Sequence, residues 1–197
     1  IGGRLSLQAP VGKERYFFIK TARKAPNNQG NAIFICITSK NAFDRQGESS
    51  LYQKDEQQDT DFLFNMETIT GYENRESLIA AISEPEGANG VVFGRVDFVG
   101  SMGWARDSIN KQQTTDFAVE TAKLCKKADK QLVMGGGVSI ESIDAIRQVH
   151  AVRLDRFETR KVVFDAGKAL DTDIEEGLVD AVHFELLWLL NKRDYYN

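Results

Sequence analysis

The sequence predicts an α/β protein built from parallel βα units, because three observations coincide. From about residue 60 onward short apolar runs alternate with amphipathic stretches, the loops after each run are short, and helix-capping residues open the amphipathic stretches. Such units either close into a (β/α)₈ TIM barrel or form a doubly wound open sheet. No GxGxxG dinucleotide fingerprint is present, which favours the barrel. The 197 residues suit a single domain spanning 1–197. A full barrel takes about 250 residues, and about six strands are legible here. The expected fold is therefore an incomplete TIM barrel, about two strands short.

Taken in order, Ser6–Pro10 reads as a strand end and Tyr16–Lys24 as a helix. Asn31–Thr38 is rich in β-branched residues and reads as a strand. Residues 40–60 are polar and turn-rich, marking a long loop or an insertion within 31–60. Asp61–Glu67 is a short apolar run bounded by polar residues, as in a buried strand. Thr70-Gly-Tyr-Glu73 matches a capping box and opens a helix through about Ile82. Gly90–Asp97 is the next strand, and Thr115–Ala128 a helix with Ala118, Ala122 and Cys125 at helical spacing. Gln131–Met134 is a strand ending in Gly135-Gly136-Gly137. Ser139 caps a helix that places Ile140, Ile143, Ile146 and Val149 on one face. Ala151–Phe157 reads as a further strand, and the capping box Thr172-Asp-Ile-Glu175 opens a long helix through about Leu190.

Composition excludes several classes. Hydrophobic residues make up 42% and charged residues 27%, ordinary for a soluble protein with a core. Twenty-five basic against twenty-nine acidic residues give a net charge of −4 and a pI near 5.3. That balance argues against a nucleic-acid partner or a polybasic membrane surface. No apolar run approaches the roughly 18 residues of a membrane span. Ile1-Gly2-Gly3-Arg4 has no signal-peptide pattern, and the missing initiator Met leads us to expect a processed or partial chain. Cys36 and Cys125 are far apart and read as buried, reduced thiols, with a cytoplasmic location as the default. Two histidines, His150 and His183, leave too few ligands for a structural zinc site. No GxSxG elbow or Walker A sequence occurs, so carboxylates and backbone amides are the expected chemical groups.

Glu67 and Asp97 each follow an apolar strand, where parallel α/β architectures place active sites. Two such carboxylates without histidine suit Mg²⁺ or Mn²⁺, which take oxygen ligands and complete their shell with water and substrate. The competing reading is that each acid caps a helix or pairs with an arginine, and spacing alone does not choose between them. Gly135, Gly136 and Gly137 are a possible anion-binding loop or, by preference, a tight turn needing positive φ. Asp155–Lys161 is a dense charge run, either a salt-bridged rim or a lining for the mouth of a site. Asn191–Tyr196 reads as an amphipathic tail, packed on its own subunit or against another.

Asn65-Met-Glu67-Thr-Ile-Thr-Gly71 followed by Gly94-Arg-Val-Asp97-Phe-Val-Gly-Ser101-Met-Gly103 resembles the paired motifs of the HpcH/HpaI aldolase/citrate lyase β-subunit family. The resemblance continues through Gly135–Ser139, Leu154–Phe164, Phe184–Trp188 and Asn191–Tyr195, covering about residues 61–196. It implies a (β/α)₈ barrel with a divalent cation, Mg²⁺ or Mn²⁺, held by Glu67 and Asp97. It further implies substrate contacts from Asn65 and from the backbone amides of Val96 and Asp97. The implied activity is that of a metal-dependent lyase. It makes or breaks carbon–carbon bonds of a small 2-oxo acid (pyruvate or oxaloacetate type) or an acyl-CoA ester, through a metal-stabilised enolate. Arg95 stands where relatives often carry proline, and neither the family's early arginine nor a general base can be assigned, so the catalytic residues are unknown at this stage.

The rival expectation is a shortened, non-catalytic barrel that binds a ligand or partner. A weaker third is a phosphate-ester enzyme using Gly135–Gly137. A barrel lacking strands exposes sheet edges and apolar surface, so a homo-oligomer is expected.

Overall fold

The computed structural model describes residues 60–84 and 87–196, together with the strand backbones Phe18–Thr21 and Asn31–Cys36. The architecture is mixed α/β. Among the described residues one sheet holds seven strands in sequence order. They are β1 (Phe18–Thr21), β2 (Asn31–Cys36), β3 (Thr60–Met66), β4 (Gly90–Gly94), β5 (Gln131–Gly135), β6 (Arg156–Glu158) and β7 (Val163–Asp165). β2 to β6 run parallel, whereas β1 and β7 are antiparallel edges. The order never reverses, so every crossover steps the same way and no doubly wound switch point exists among these strands. Right-handed crossovers that all step one way lay their helices on one face.

The crossover helices are α1 (Ile69–Glu73), α2 (Arg75–Ile82), α3 (Arg95–Ser101), α4 (Gln112–Lys127) and α5 (Ile143–His150), and α6 (Ala166–Leu170) and α7 (Ile174–Tyr196) follow the last strand. The strand alternation sends Phe64, Met66, Val91, Phe93, Leu132, Met134 and Phe157 into the main core. There they meet Ile79, Ile82, Ala118, Ala122, Ile146 and Leu178 from the helices. Leu63, Val92 and Val133 form a separate buried cluster on the opposite face of the sheet. No helix among the described residues is long and apolar enough to cross a membrane.

Several boundaries differ from the sequence reading. The expected helix over Tyr16–Lys24 contains β1 instead, because this segment pairs with β2 from Phe18↔Cys36 to Thr21↔Ile33. Asn31–Cys36 is a sheet strand paired with β3, while Ser6–Pro10 and residues 40–59 lie outside the described residues. Thr68, not Thr70, caps α1 by accepting the Gly71 N–H at 3.0 Å, and the helix is interrupted at Asn74. The strand expected over Gly90–Asp97 stops at Gly94, and Arg95, Phe98 and Val99 bury one side of α3 at helical spacing.

Farther along, Ile140 is exposed because a 3₁₀ turn over Ile140–Ser142 precedes α5. Of the strand expected over Ala151–Phe157 only Arg156 and Phe157 join the sheet, in β6, which runs on to Glu158; before them the Asp155 carboxylate accepts the Leu132 N–H at the start of β5. Asp173 accepts the Glu176 N–H near the start of α7, while Thr172 Oγ1 donates back to Lys168 O. The expected C-terminal tail is the last turns of α7.

Candidate active site

The face of the sheet turned away from the helices carries the polar residues. Asp61, Gln131 and Arg156 meet there: Gln131 Nε2 donates to Asp61 Oδ2 at 3.1 Å, Arg156 Nη2 donates to Gln131 Oε1, and Arg156 pairs with Asp61 at 3.5 Å. Register then defines two rows across the sheet. Asn65, Val92, Val133 and Arg156 are direct partners across β3 to β6. Two residues farther toward the C-terminal strand ends, Gly94 pairs with Gly135. Glu67 follows Met66, whose partner is Phe93, and Glu158 follows Phe157, whose partner is Met134. The rim row is therefore Glu67, Gly94, Gly135, Glu158.

Glu67 lies against Gly94. A Cβ placed at Gly94 would stand 3.0 Å from both Glu67 Cβ and Glu67 Oε2. Asn65 Nδ2 donates to the same Oε2 at 3.0 Å, and Asn65 Oδ1 is buried with no hydrogen-bond partner among the described residues. Three residues past Gly94, Asp97 is exposed in the first turn of α3, where a carboxylate faces the positive end of the helix dipole. It sits on a helix and not, as the sequence suggested, at the end of a strand.

Two links fix the elements that carry these acids. Ser101 Oγ of α3 accepts the Ile69 N–H at 2.8 Å and donates to Phe98 O at 2.7 Å. Tyr72 of α1 packs edge-on to Phe98 of α3 and Phe117 of α4, with centroids 5.7 and 4.8 Å away. Both contacts tie the turn after Glu67 to the helix bearing Asp97.

Arg95 does not line the site. Its side chain is buried and donates only to neutral acceptors: Gly135 O (3.4 Å), Ile109 O (3.4 Å), Asn110 Oδ1 (3.0 Å) and Ser142 Oγ (3.0 Å). Burial lowers its pKa to about 10. The guanidinium thus clamps the end of β5 and the turn before α5 to the start of α3. The glycine run fits beside it. Gly136 and Gly137 have φ of +83° and +66°. A Cβ at Gly136 would stand 2.6 Å from Val96 N and 2.8 Å from Arg95 N. Of the two readings of Gly135–Gly137, these contacts describe the tight turn.

The charge run divides by face. Arg153 pairs with Asp155, Arg156 with Asp61, and Arg160 with Glu185. Lys161 lies 3.6 Å from the Trp188 ring centroid, a cation–π contact with α7. Phe157 stacks on Phe164 in the core. Glu158, one residue beyond Phe157, takes the opposite face, and its Oε1 would be 3.0 Å from a Cβ at Gly135. Sequence reading did not single it out. The signal was the alternation itself: an apolar Phe157 between Arg156 and Glu158 sends both charged neighbours away from the core.

The residues present suit a hard divalent cation. Glu67, Asp97 and Asn65 supply oxygen atoms only, and the buried, unpartnered Asn65 Oδ1 is the kind of acceptor such an ion satisfies. No group of three or more His, Cys, Asp or Glu among the described residues is arranged to hold a metal.

No family model matches this chain, and no curated protein matches it. Among solved structures, it is similar to one described as "Crystal Structure Analysis of Macrophomate synthase". The TM-score is 0.38 at 15% identity, covering 76% of this chain and 46% of that one.

Proposed function

We propose that this chain carries the metal and substrate rim of a divalent-metal-dependent carbon–carbon lyase of the aldolase type, folded as a (β/α)₈ barrel. Its substrate would be a small 2-oxo acid of the pyruvate or oxaloacetate type, or an acyl-CoA ester. One observation carries the reading. The Glu67 carboxylate rests on the Cβ-less Gly94, held by Asn65, while Asp97 rises from the helix that Gly94 begins.

Glu67 and Asp97 would hold Mg²⁺ or Mn²⁺. When bound, the ion supplies Lewis-acid stabilisation of the negative charge that develops on the substrate's carbonyl oxygen. Asn65 Nδ2 fixes the rotamer of Glu67, and its Oδ1 is directed by the same hydrogen bond. The Val96 and Asp97 N–H groups belong to the first turn of α3, where intrahelical acceptors are lacking, and would bind the substrate carboxylate. Gly136 supports this role, since any side chain there would collide with the Val96 nitrogen.

A second reading, a barrel that binds a ligand without turnover, is favoured by one feature. The described sheet ends in the antiparallel strands β1 and β7, not in an eighth parallel strand. Deuterium exchange into the methyl group of pyruvate, followed by NMR with Mg²⁺ or EDTA, separates the two. Exchange that requires Mg²⁺ and is lost in Glu67→Gln and Asp97→Asn supports the lyase; binding of the cation with no exchange supports the second reading.

A further inference from the structure

We infer that α7 pairs with the α7 of a second copy of this chain, antiparallel, about a two-fold axis level with position 184. This pairing is independent of the lyase reading and would hold for a protein of any activity. Two stripes run along the helix. Ile174, Leu178, Ala181, Glu185 and Trp188 recur at alternating spacings of four and three and face the chain's own body. The first three are buried, Glu185 pairs with Arg160, and Trp188 lies under Lys161. The helix is therefore fixed to its own subunit along most of its length.

The second stripe repeats that spacing one residue farther along: Glu175, Val179, Val182, Leu186, Leu189 and Arg193. All six are exposed. Four apolar side chains at heptad spacing form the narrow seam by which two helices pack side by side. An acid closes one end of this seam and a base closes the other.

The order of these residues selects the partner. The stripe is symmetric about position 184: Val182 and Leu186 stand two residues either side of it, Val179 and Leu189 five, Glu175 and Arg193 nine. An antiparallel copy sets Val182 against the partner's Leu186, Val179 against the partner's Leu189, and Glu175 against the partner's Arg193. Every contact then occurs twice, and the assembly closes at two chains. A parallel copy would instead bring Glu175 to Glu175 and Arg193 to Arg193, like charges at both ends. A lipid surface offers no counterpart to an acid at one end and a base at the other. Arg193 uses Nε and Nη2 on Asp194 of its own chain, and its Nη1 donors suit a second carboxylate.

The test is sedimentation equilibrium of the intact chain over a range of protein concentrations. Wild type should reach a two-chain mass, and added NaCl should weaken its association several-fold, because the end pairs are exposed to screening. Glu175→Arg alone, or Arg193→Glu alone, puts like charges at both ends and should weaken association roughly tenfold. The two substitutions together restore opposite charges and should return association to the wild-type strength. Circular dichroism checks that the variants fold, and the salt series on wild type decides the matter should they not. A wild-type monomer at every concentration would overturn the pairing. A monomer that co-sediments with phosphatidylcholine vesicles would give the face to a lipid surface instead. A dimer indifferent to salt and to both single reversals, or one that the double variant fails to restore, would overturn the antiparallel register.

Discussion

Ser101 Oγ accepts the backbone N–H of Ile69 at 2.8 Å, joining the turn that leaves Glu67 to the helix that carries Asp97. The two residues are 32 positions apart in sequence. The link therefore sets the spacing of two loops that local structure alone leaves independent. Ser101→Ala should cost only about 1 kcal/mol of stability, because the bond lies at the surface. It should nevertheless weaken Mn²⁺ binding several-fold. Urea unfolding and Mn²⁺ titration check the two effects separately; unchanged Mn²⁺ affinity would show that the link does not position the site.

The glycines on the rim differ in what a methyl group would meet. At Gly135 the new Cβ would press on Glu158 Oε1, the mobile end of a side chain, at 3.0 Å. At Gly136 it would strike backbone at 2.6 Å in a residue with φ of +83°. Gly135→Ala should stay within about 1 kcal/mol of wild type while slowing pyruvate exchange, and Gly136→Ala should lose about 2 kcal/mol or more. Chemical unfolding of both variants checks the order, which would be reversed if the Gly135 side of the rim were rigid.

Arg95 is a cation in the core whose partners are all neutral. Removing it leaves buried acceptors unsatisfied, at about 1–3 kcal/mol each. Arg95→Ala should therefore unfold at markedly lower denaturant, and Arg95→Lys should recover little, because a single ammonium cannot span the four acceptors. Circular dichroism melts of the two variants test this.

Burial in α4 raises the Cys125 thiol from 9.0 to about 12. The unfolded thiol loses its proton first, so the native state holds more protons between those values, and stability must fall as pH rises through that window. The slope from this group alone approaches 1.4 kcal/mol per pH unit. Cys125→Ala should remove that component when unfolding free energies near pH 8 and about pH 10 are compared. A wild-type slope equal to that of the variant would contradict it.

Helix α7 buries only Ile174, Leu178 and Ala181 along its length, while Val182, Phe184, Leu186, Leu187 and Leu189 are exposed. We propose that this surface associates copies of the chain; the sequence led to the expectation of a homo-oligomer from missing barrel strands, not from this helix. Light scattering should show an oligomer that Val182→Glu with Leu186→Glu dissociates. A monodisperse wild-type monomer would refute it.

Much of the central sheet was legible because its strands are short apolar runs flanked by glycine or polar residues. Gln131–Gly135 and Thr60–Met66 are examples. Helix α3 was not legible: Arg95-Val-Asp97 extends the strand pattern beyond Gly94, and only the burial of Arg95, Phe98 and Val99 reveals the change of period. The β6–β7 hairpin carries no glycine, proline or asparagine at its turn. Its closure depends on Thr159, whose N–H donates to Val162 O and whose Oγ1 accepts the Val162 N–H. Glu67 and Asn65 could be picked out from the motif they share, since two residues apart on a strand means one face. Glu158 required the register, which places it level with Glu67 from 91 residues farther along the chain.

The most direct measurement is Mn²⁺ binding to the intact protein by electron paramagnetic resonance, comparing wild type with Glu67→Gln and Asp97→Asn. If the two acids share one cation, wild type should bind about one Mn²⁺ per chain, and each substitution alone should weaken binding by roughly 10²-fold or more. Equal binding by all three proteins would contradict the shared site and, with it, the lyase built upon it.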